Sequence, residues 1–213
     1  MDSDINPSRG FKLDVDITYE KNKFIEGLDF SDAGTLVPNW ANNDLWRMQQ
    51  SSSLFFAIPA TNRMTISLES IAGTISNVEA DSFFHFFAGG LNGLKGYPFY
   101  SIEGKSIAIA TGTIRVPVFR EKHIPLGWFI MQNSTLGFIG QIGDAWIQSI
   151  EEPNWLRSVG IQWRINGFSF YNYPTAIGLE LHRGLDTFQR QINNKSVTYG
   201  QEQRFYLTVL FGF

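Results

Sequence analysis

Hydrophobic and polar residues alternate along this chain with a period of two. In the segment 11–20, Phe11, Leu13, Val15, Ile17 and Tyr19 fall on one side, and Lys12, Asp14, Asp16, Thr18 and Glu20 on the other. Successive side chains of a strand point to opposite faces, so this pattern predicts a β-strand with one apolar and one polar face. The C-terminal segment 203–213 repeats it. Phe205, Leu207, Val209, Phe211 and Phe213 share one face, and Arg204, Tyr206, Thr208, Leu210 and Gly212 share the other. Six further segments read as strands, at approximately 45–58, 63–74, 105–118, 128–142, 156–166 and 175–184. In 156–166, for example, Val159, Ile161, Trp163 and Ile165 oppose Ser158, Gly160, Gln162 and Arg164. The 45–58 segment is the weakest, because Gln50 and Ser52 interrupt its apolar face. No segment carries a helical stripe.

The connections alternate in length. Those at about 21–44, 75–104 and 185–202 are long, whereas 59–62, 119–127 and 167–174 are short. Outer-membrane barrels show this asymmetry, with tight periplasmic turns and longer loops outside. The expected fold is therefore all-β, an eight-stranded antiparallel transmembrane up-and-down β-barrel formed by residues 1–213 as one domain. An even strand number would place both termini on the periplasmic side. A soluble barrel of the same strand count would instead turn its apolar face inward.

Composition favours the membrane form. Only 17% of residues are charged, against roughly 25% in an average soluble domain. Tyr19, Trp46, Trp128, Trp146, Trp155, Tyr171 and Tyr173 recur near the expected strand ends, where interfacial aromatic girdles form. The absence of Cys excludes disulfide frameworks, thiolate metal sites and Cys nucleophiles. A net charge of −3 without a basic patch argues against nucleic acid as a partner. Residues 1–7 have neither the basic start nor the apolar run of a signal peptide. No metal and no cofactor is expected.

Several motifs, in chain order, resemble the BamA-like outer-membrane barrels of the bacterial surface antigen superfamily. The run 87–98, Phe-Ala-Gly-Gly-Leu-Asn-Gly-Leu-Lys-Gly-Tyr-Pro, resembles the loop signature of that family, with Gly93, Leu94, Lys95, Gly96 and Tyr97 at its heart. Ile114-Arg115-Val116-Pro117 is similar to the ending of the strand that follows. Residues 138–146, which end in Ala145-Trp146, resemble the strand after that, and 6–10 fit the approach to the first strand. The wording of 93–104 and 169–174 is closest to the barrel that follows TolB-like propellers. The match covers only the last eight strands of a sixteen-stranded family barrel.

The resemblance implies a bacterial outer-membrane protein whose partners are the lipid bilayer and the outer-membrane insertion machinery. That machinery would recognise the terminal strand through Phe205, Leu207, Val209, Phe211 and Phe213. It also implies a loop folded into the barrel and pinned by an Arg paired with acids on two strands. The matching positions here are Lys95, Thr113 and Gln141. Lys lacks the guanidinium fork and both partners are neutral, so the expected lock is weak or absent. An eight-stranded interior is also too narrow for a folded loop. The family receives clients through periplasmic domains, and none is recognisable here, so assembly activity by this chain alone is not expected.

The polar faces would line the lumen with Lys12, Asp14, Asp16, Glu20, Arg63, Glu69, Thr113, Arg115, Gln141, Arg164, Glu180, His182 and Arg204. Charges of both signs occur there, so a self-neutralising network is expected. Three functions follow. The first is a small membrane-embedded structural barrel without an open pore. The second is a half-barrel completed by a second copy or by missing strands, as an insertion or export barrel. The third is a lipid-acting enzyme using His182 and Glu180. No Ser stands in partnership with that pair, so an enzyme is not expected.

Overall fold

The computed structural model describes residues 9–59, 64–76, 82–147, 153–170, 172–192 and 195–211. In chain order the elements are β1 (Gly10–Phe30), β2 (Leu36–Ala57), β3 (Thr65–Ile75) and a single 3-10 turn (Ser82–Phe84). Next come β4 (Phe86–Phe87), β5 (Glu103–Gly104), β6 (Ser106–Phe119), β7 (Ile124–Leu126) and β8 (Phe129–Trp146). The chain ends with β9 (Leu156–Ser169), β10 (Tyr173–Gly184), β11 (Phe188–Ile192), β12 (Lys195–Tyr199) and β13 (Gln203–Phe211). A 9-stranded antiparallel sheet runs β1-β2-β3-β6-β8-β9-β10-β13, with β7 added beside β8. β4 pairs with β5 and β11 with β12 as separate ribbons.

The antiparallel meander matches the alternation read from the sequence, and each expected strand overlaps an observed one. Among the described residues the sheet does not close. β1 and β13 stand at its two edges, and among the described residues no ladder joins them. The sheet nonetheless curls, because Ser53 and Phe55 of β2 line the same cavity as Thr208 and Leu210 of β13.

The segment 21–44 is not a loop. β1 and β2 continue through it to a turn at 31–35, pairing Lys21 with Asp44, Ile25 with Trp40 and Phe30 with Leu36. Two features hide these residues from a period-two reading. Lys21, Asn22 and Lys23 lie opposite Asp44, Asn43 and Asn42, so both faces are polar there. The register then shifts between Ile25 and Gly27, and such a bulge inverts the alternation beyond it. β3 ends opposite Arg47, so the second half of β1 and the first half of β2 project past the sheet as a two-stranded ribbon. The connection 185–202 likewise contains the β11–β12 hairpin, with Phe188 opposite Tyr199.

Burial divides the two faces of the sheet. The outward face is apolar and exposed: Ile17 is 59% accessible, Ile161 49% and Leu207 64%. The inward face is polar and is covered on the central strands, with Ser67 at 0%, Glu180 at 4% and His182 at 1%, whereas Lys12, Asp14 and Asp16 of the edge strand β1 are exposed. An aromatic pair marks each end of the outward face. Tyr19 and Trp46 lie 5.0 Å apart toward the long loops, and Trp128 stacks on Phe170 at 5.3 Å by the short turns. The apolar core is small and lies at the long-loop end, where Leu94, Tyr97, Ala88 and Ile102 of one loop meet Ile107, Ile109 and Leu156 of the sheet.

Candidate functional site

The residues between β3 and β6 form a loop that lies on the polar face of the sheet. Its base is held by the β4–β5 ribbon, in which Phe86 pairs with Gly104 and Phe87 with Glu103. Its tip is a tight turn in which the Leu94 amide donates to the Ala88 carbonyl at 2.7 Å and the Gly90 amide to that of Tyr97 at 3.0 Å. Two glycines permit this descent. A Cβ on Gly93 would sit 2.1 Å from the Ala88 oxygen, and one on Gly96 would sit 2.5 Å from the Gly184 amide nitrogen.

Lys95 is fastened at three points. Its amide donates to Gln141 Oε1 at 2.9 Å, and its Nζ donates to Glu180 Oε2 at 2.5 Å. Its carbonyl accepts from the Tyr206 hydroxyl at 2.9 Å. Gln141 also donates through Nε2 to the Gly93 carbonyl at 2.7 Å and accepts from Ser158 Oγ at 2.8 Å. Tyr97, wholly buried, donates to the carbonyls of Arg157 at 2.8 Å and Asp186 at 2.9 Å.

The expectation of a weak or missing lock is therefore corrected. The charge partner of Lys95 comes from β10 rather than from the matching positions on β6 and β8. Gln141 serves as a neutral clamp on the loop backbone, while Thr113 is buried on β6 beside the same cavity. The loop also lies against the inward face, contrary to the expectation that an eight-stranded interior is too narrow for it. Glu180 is the hub of the arrangement: Gln162 Nε2 donates to its Oε1 at 2.5 Å, and His182 Nε2 stands 2.8 Å from its Oε2. The His182 ring lies over Gly160, where a Cβ would come within 2.2 Å of Nδ1.

The other lumen candidates do not join one network. Lys12 pairs with Asp14 on β1 at 2.8 Å, and Asp16 accepts from Thr18 at 2.7 Å. Glu20 reaches Arg47 at 3.6 Å, and Arg204 pairs with its near neighbour Glu202 at 2.6 Å. Glu69, Arg115 and Arg164 line a cavity of about 480 Å³ below the loop. Arg63 and Phe213 fall outside the described residues. Phe205, Leu207, Val209 and Phe211 share the exposed outward face of β13.

Sequence reasoning missed two ion clusters at the long-loop end. Glu103 meets His85 Nδ1 at 2.8 Å and the Arg190 guanidinium, which also donates to the Tyr100 carbonyl at 2.8 Å. Burial would raise the Glu103 carboxyl, but hydrogen bonds from Arg190 and His85 outweigh it and hold the group below its ordinary range. Arg157 grips Asp186 in a fork, Nη2 to Oδ1 at 2.7 Å and Nε to Oδ2 at 3.0 Å. Hydrogen bonding from that guanidinium lowers the Asp186 pKa. All five residues lie in long connections or at their borders, where no periodic signal distinguishes a tethering residue from a solvated one. Chemically, the whole arrangement is a fixed plug on a polar wall. No family model, curated protein or solved structure matches the chain.

Proposed function

We propose that this chain is half of a larger outer-membrane β-barrel, its polar face forming part of a lumen and its loop a fixed constriction within it. The observation that carries the reading is the pair of unjoined edges, β1 and β13, on a sheet whose outward face is apolar. Backbone groups left unpaired in lipid cost several kcal/mol each, so such edges need further strands. A second copy or additional strands would supply them, making a barrel wide enough to hold the loop and pass or insert a polypeptide. The supporting partners are the lipid bilayer around the outward face and the insertion machinery acting on β13.

One observation favours the narrower alternative, a closed structural barrel without an open pore. β2 and β13 already face a common cavity, which brings the edges round toward one another. A catalytic role draws little support, because Glu180 is committed to Lys95 and Gln162 as well as to His182.

A disulfide scan between the edges separates the readings. The chain is free of Cys, so Val15→Cys with Val209→Cys, with neighbouring registers in parallel, gives an unambiguous product in membranes. A crosslink between two chains supports the half-barrel. A crosslink within one chain overturns it in favour of the closed barrel.

A further inference from the structure

We propose that the cleft at the long-loop end of the sheet binds a neutral saccharide. This cleft of about 970 Å³ is walled by Phe83, Phe87, Phe99 and Tyr100, with Glu103 and Arg190 among them. Small-molecule sites pair aromatic walls with a few placed polar groups in this way. Three of the rings are open to solvent: Phe83 is 81% accessible, Tyr100 69% and Phe99 46%. Tyr97 of the same loop shows the contrast, since its ring is wholly buried and its hydroxyl is bonded.

The walls are fixed without a ligand. They come from three stretches of chain, 82–87, 99–103 and the β11–β12 hairpin, and Glu103 ties them together. Its carboxylate meets His85 of the first stretch at 2.8 Å and the guanidinium of Arg190 from the hairpin. Arg190 also donates to the Tyr100 carbonyl at 2.8 Å. The rings hold one another as well. Phe87 stacks on Phe99 at 5.6 Å, and Tyr100 stands edge-on to both, at 5.0 and 4.7 Å. A surface already ordered in this way loses little freedom when a ligand binds.

Charge and hydrogen bonding select the ligand class. Glu103 is met by Arg190, and Arg47 at the margin of the cleft lies 3.6 Å from Glu20. With cations and anions matched, an ionic ligand would leave water without gaining a counter-charge. An acyl chain would bury the Glu103 cluster without satisfying it. The Tyr100 hydroxyl, by contrast, makes no hydrogen bond among the described residues and tops an exposed ring. A sugar suits both features: its C–H face lies against the electron-rich face of an aromatic ring, and its hydroxyls donate and accept. A free oligosaccharide and the headgroup of a glycolipid share this chemistry.

The site lies within one copy, so its test does not depend on how the sheet edges are completed. The full chain, in micelles of a detergent without a sugar headgroup, is mixed with maltohexaose, cellohexaose or an anionic oligogalacturonate. Saturation-transfer NMR reads contact at the sugar C–H protons, and calorimetric titration reads affinity. The expected result is transfer to at least one neutral oligomer, with weaker transfer or none to the anionic one. Tyr100→Ala should abolish the transfer and leave the Tm unchanged, because the ring is exposed. Tyr100→Phe keeps the ring and guards against a folding defect. It should bind roughly fivefold more weakly, the loss of one hydrogen bond. Tighter binding of the same oligomer on a diacyl anchor, lost in Tyr100→Ala, assigns the ligand to a glycolipid, and equal affinity assigns it to a free glycan. No transfer to either neutral oligomer, transfer undiminished in Tyr100→Ala, or tighter binding of the anionic oligomer would overturn the proposal.

Discussion

The Lys95 ammonium is the charged one of several ties between the loop tip and the sheet, and its environment determines what substitution does. Glu180 is almost fully buried, so removing its cation leaves a carboxylate with only His182 and Gln162. Lys95→Met should destabilise the fold by about 3 kcal/mol, the range for breaking a buried pair, measured by urea unfolding in micelles. Lys95→Arg should lose far less, because the charge is kept. Tyr97→Phe removes the donor for two buried carbonyls and should cost about 1–2 kcal/mol in the same measurement. Glu103 adds a pH dependence with a definite sign. Its folded pKa lies below the ordinary value, so its stabilisation is complete above the glutamate range and is lost as pH falls through the folded value. Protease cleavage within 82–104 should therefore rise on acidification, and Glu103→Gln should flatten that rise. Cleavage independent of pH in the wild type would refute the assignment.

Among the elements, the loop shows most clearly what a sequence can and cannot disclose. Its glycines and its Lys95-Gly96-Tyr97 core are visible as a motif. The acid that receives Lys95 is 85 positions away, and only the curl of the sheet brings β10 beneath the loop tip. Gly96→Ala drives a Cβ into the backbone of residues 183 and 184. The loop should then be displaced, seen as cleavage within 88–98 at protease levels that leave the wild type intact. The β1–β2 ribbon was illegible for a different reason: a doubly polar stretch followed by a bulge erases the two-residue period that marks a strand. By contrast β9 and β13 were legible because one face of each meets an environment unlike the other, and the shifts in β6 and β8 fall near one end, at 117–119 and 131–133, leaving the rest of each strand in alternation.

For the whole molecule, the decisive feature is the inversion of its faces. Exposed Val, Ile, Leu and Phe cover the outward side of the sheet, while Ser, Thr, Gln, Glu and His are enclosed. A single charge placed outward tests which solvent that face meets. Ile161→Arg should lower folding into phosphatidylcholine vesicles by about 2–4 kcal/mol, the cost of Arg near a bilayer midplane. On a water-facing sheet the same change would be nearly neutral, and that result would defeat the membrane reading.

Alternation along the chain disclosed most of the strands and which of their residues share a face, because period two is a local property of extended backbone. Composition added the expectation that the apolar side faces lipid. The partner of Lys95 and the pairing of Arg157 with Asp186 were decided only in three dimensions. Each depends on how far the sheet curls, and curl is the summed twist of many strands, to which no single stretch of residues holds the key.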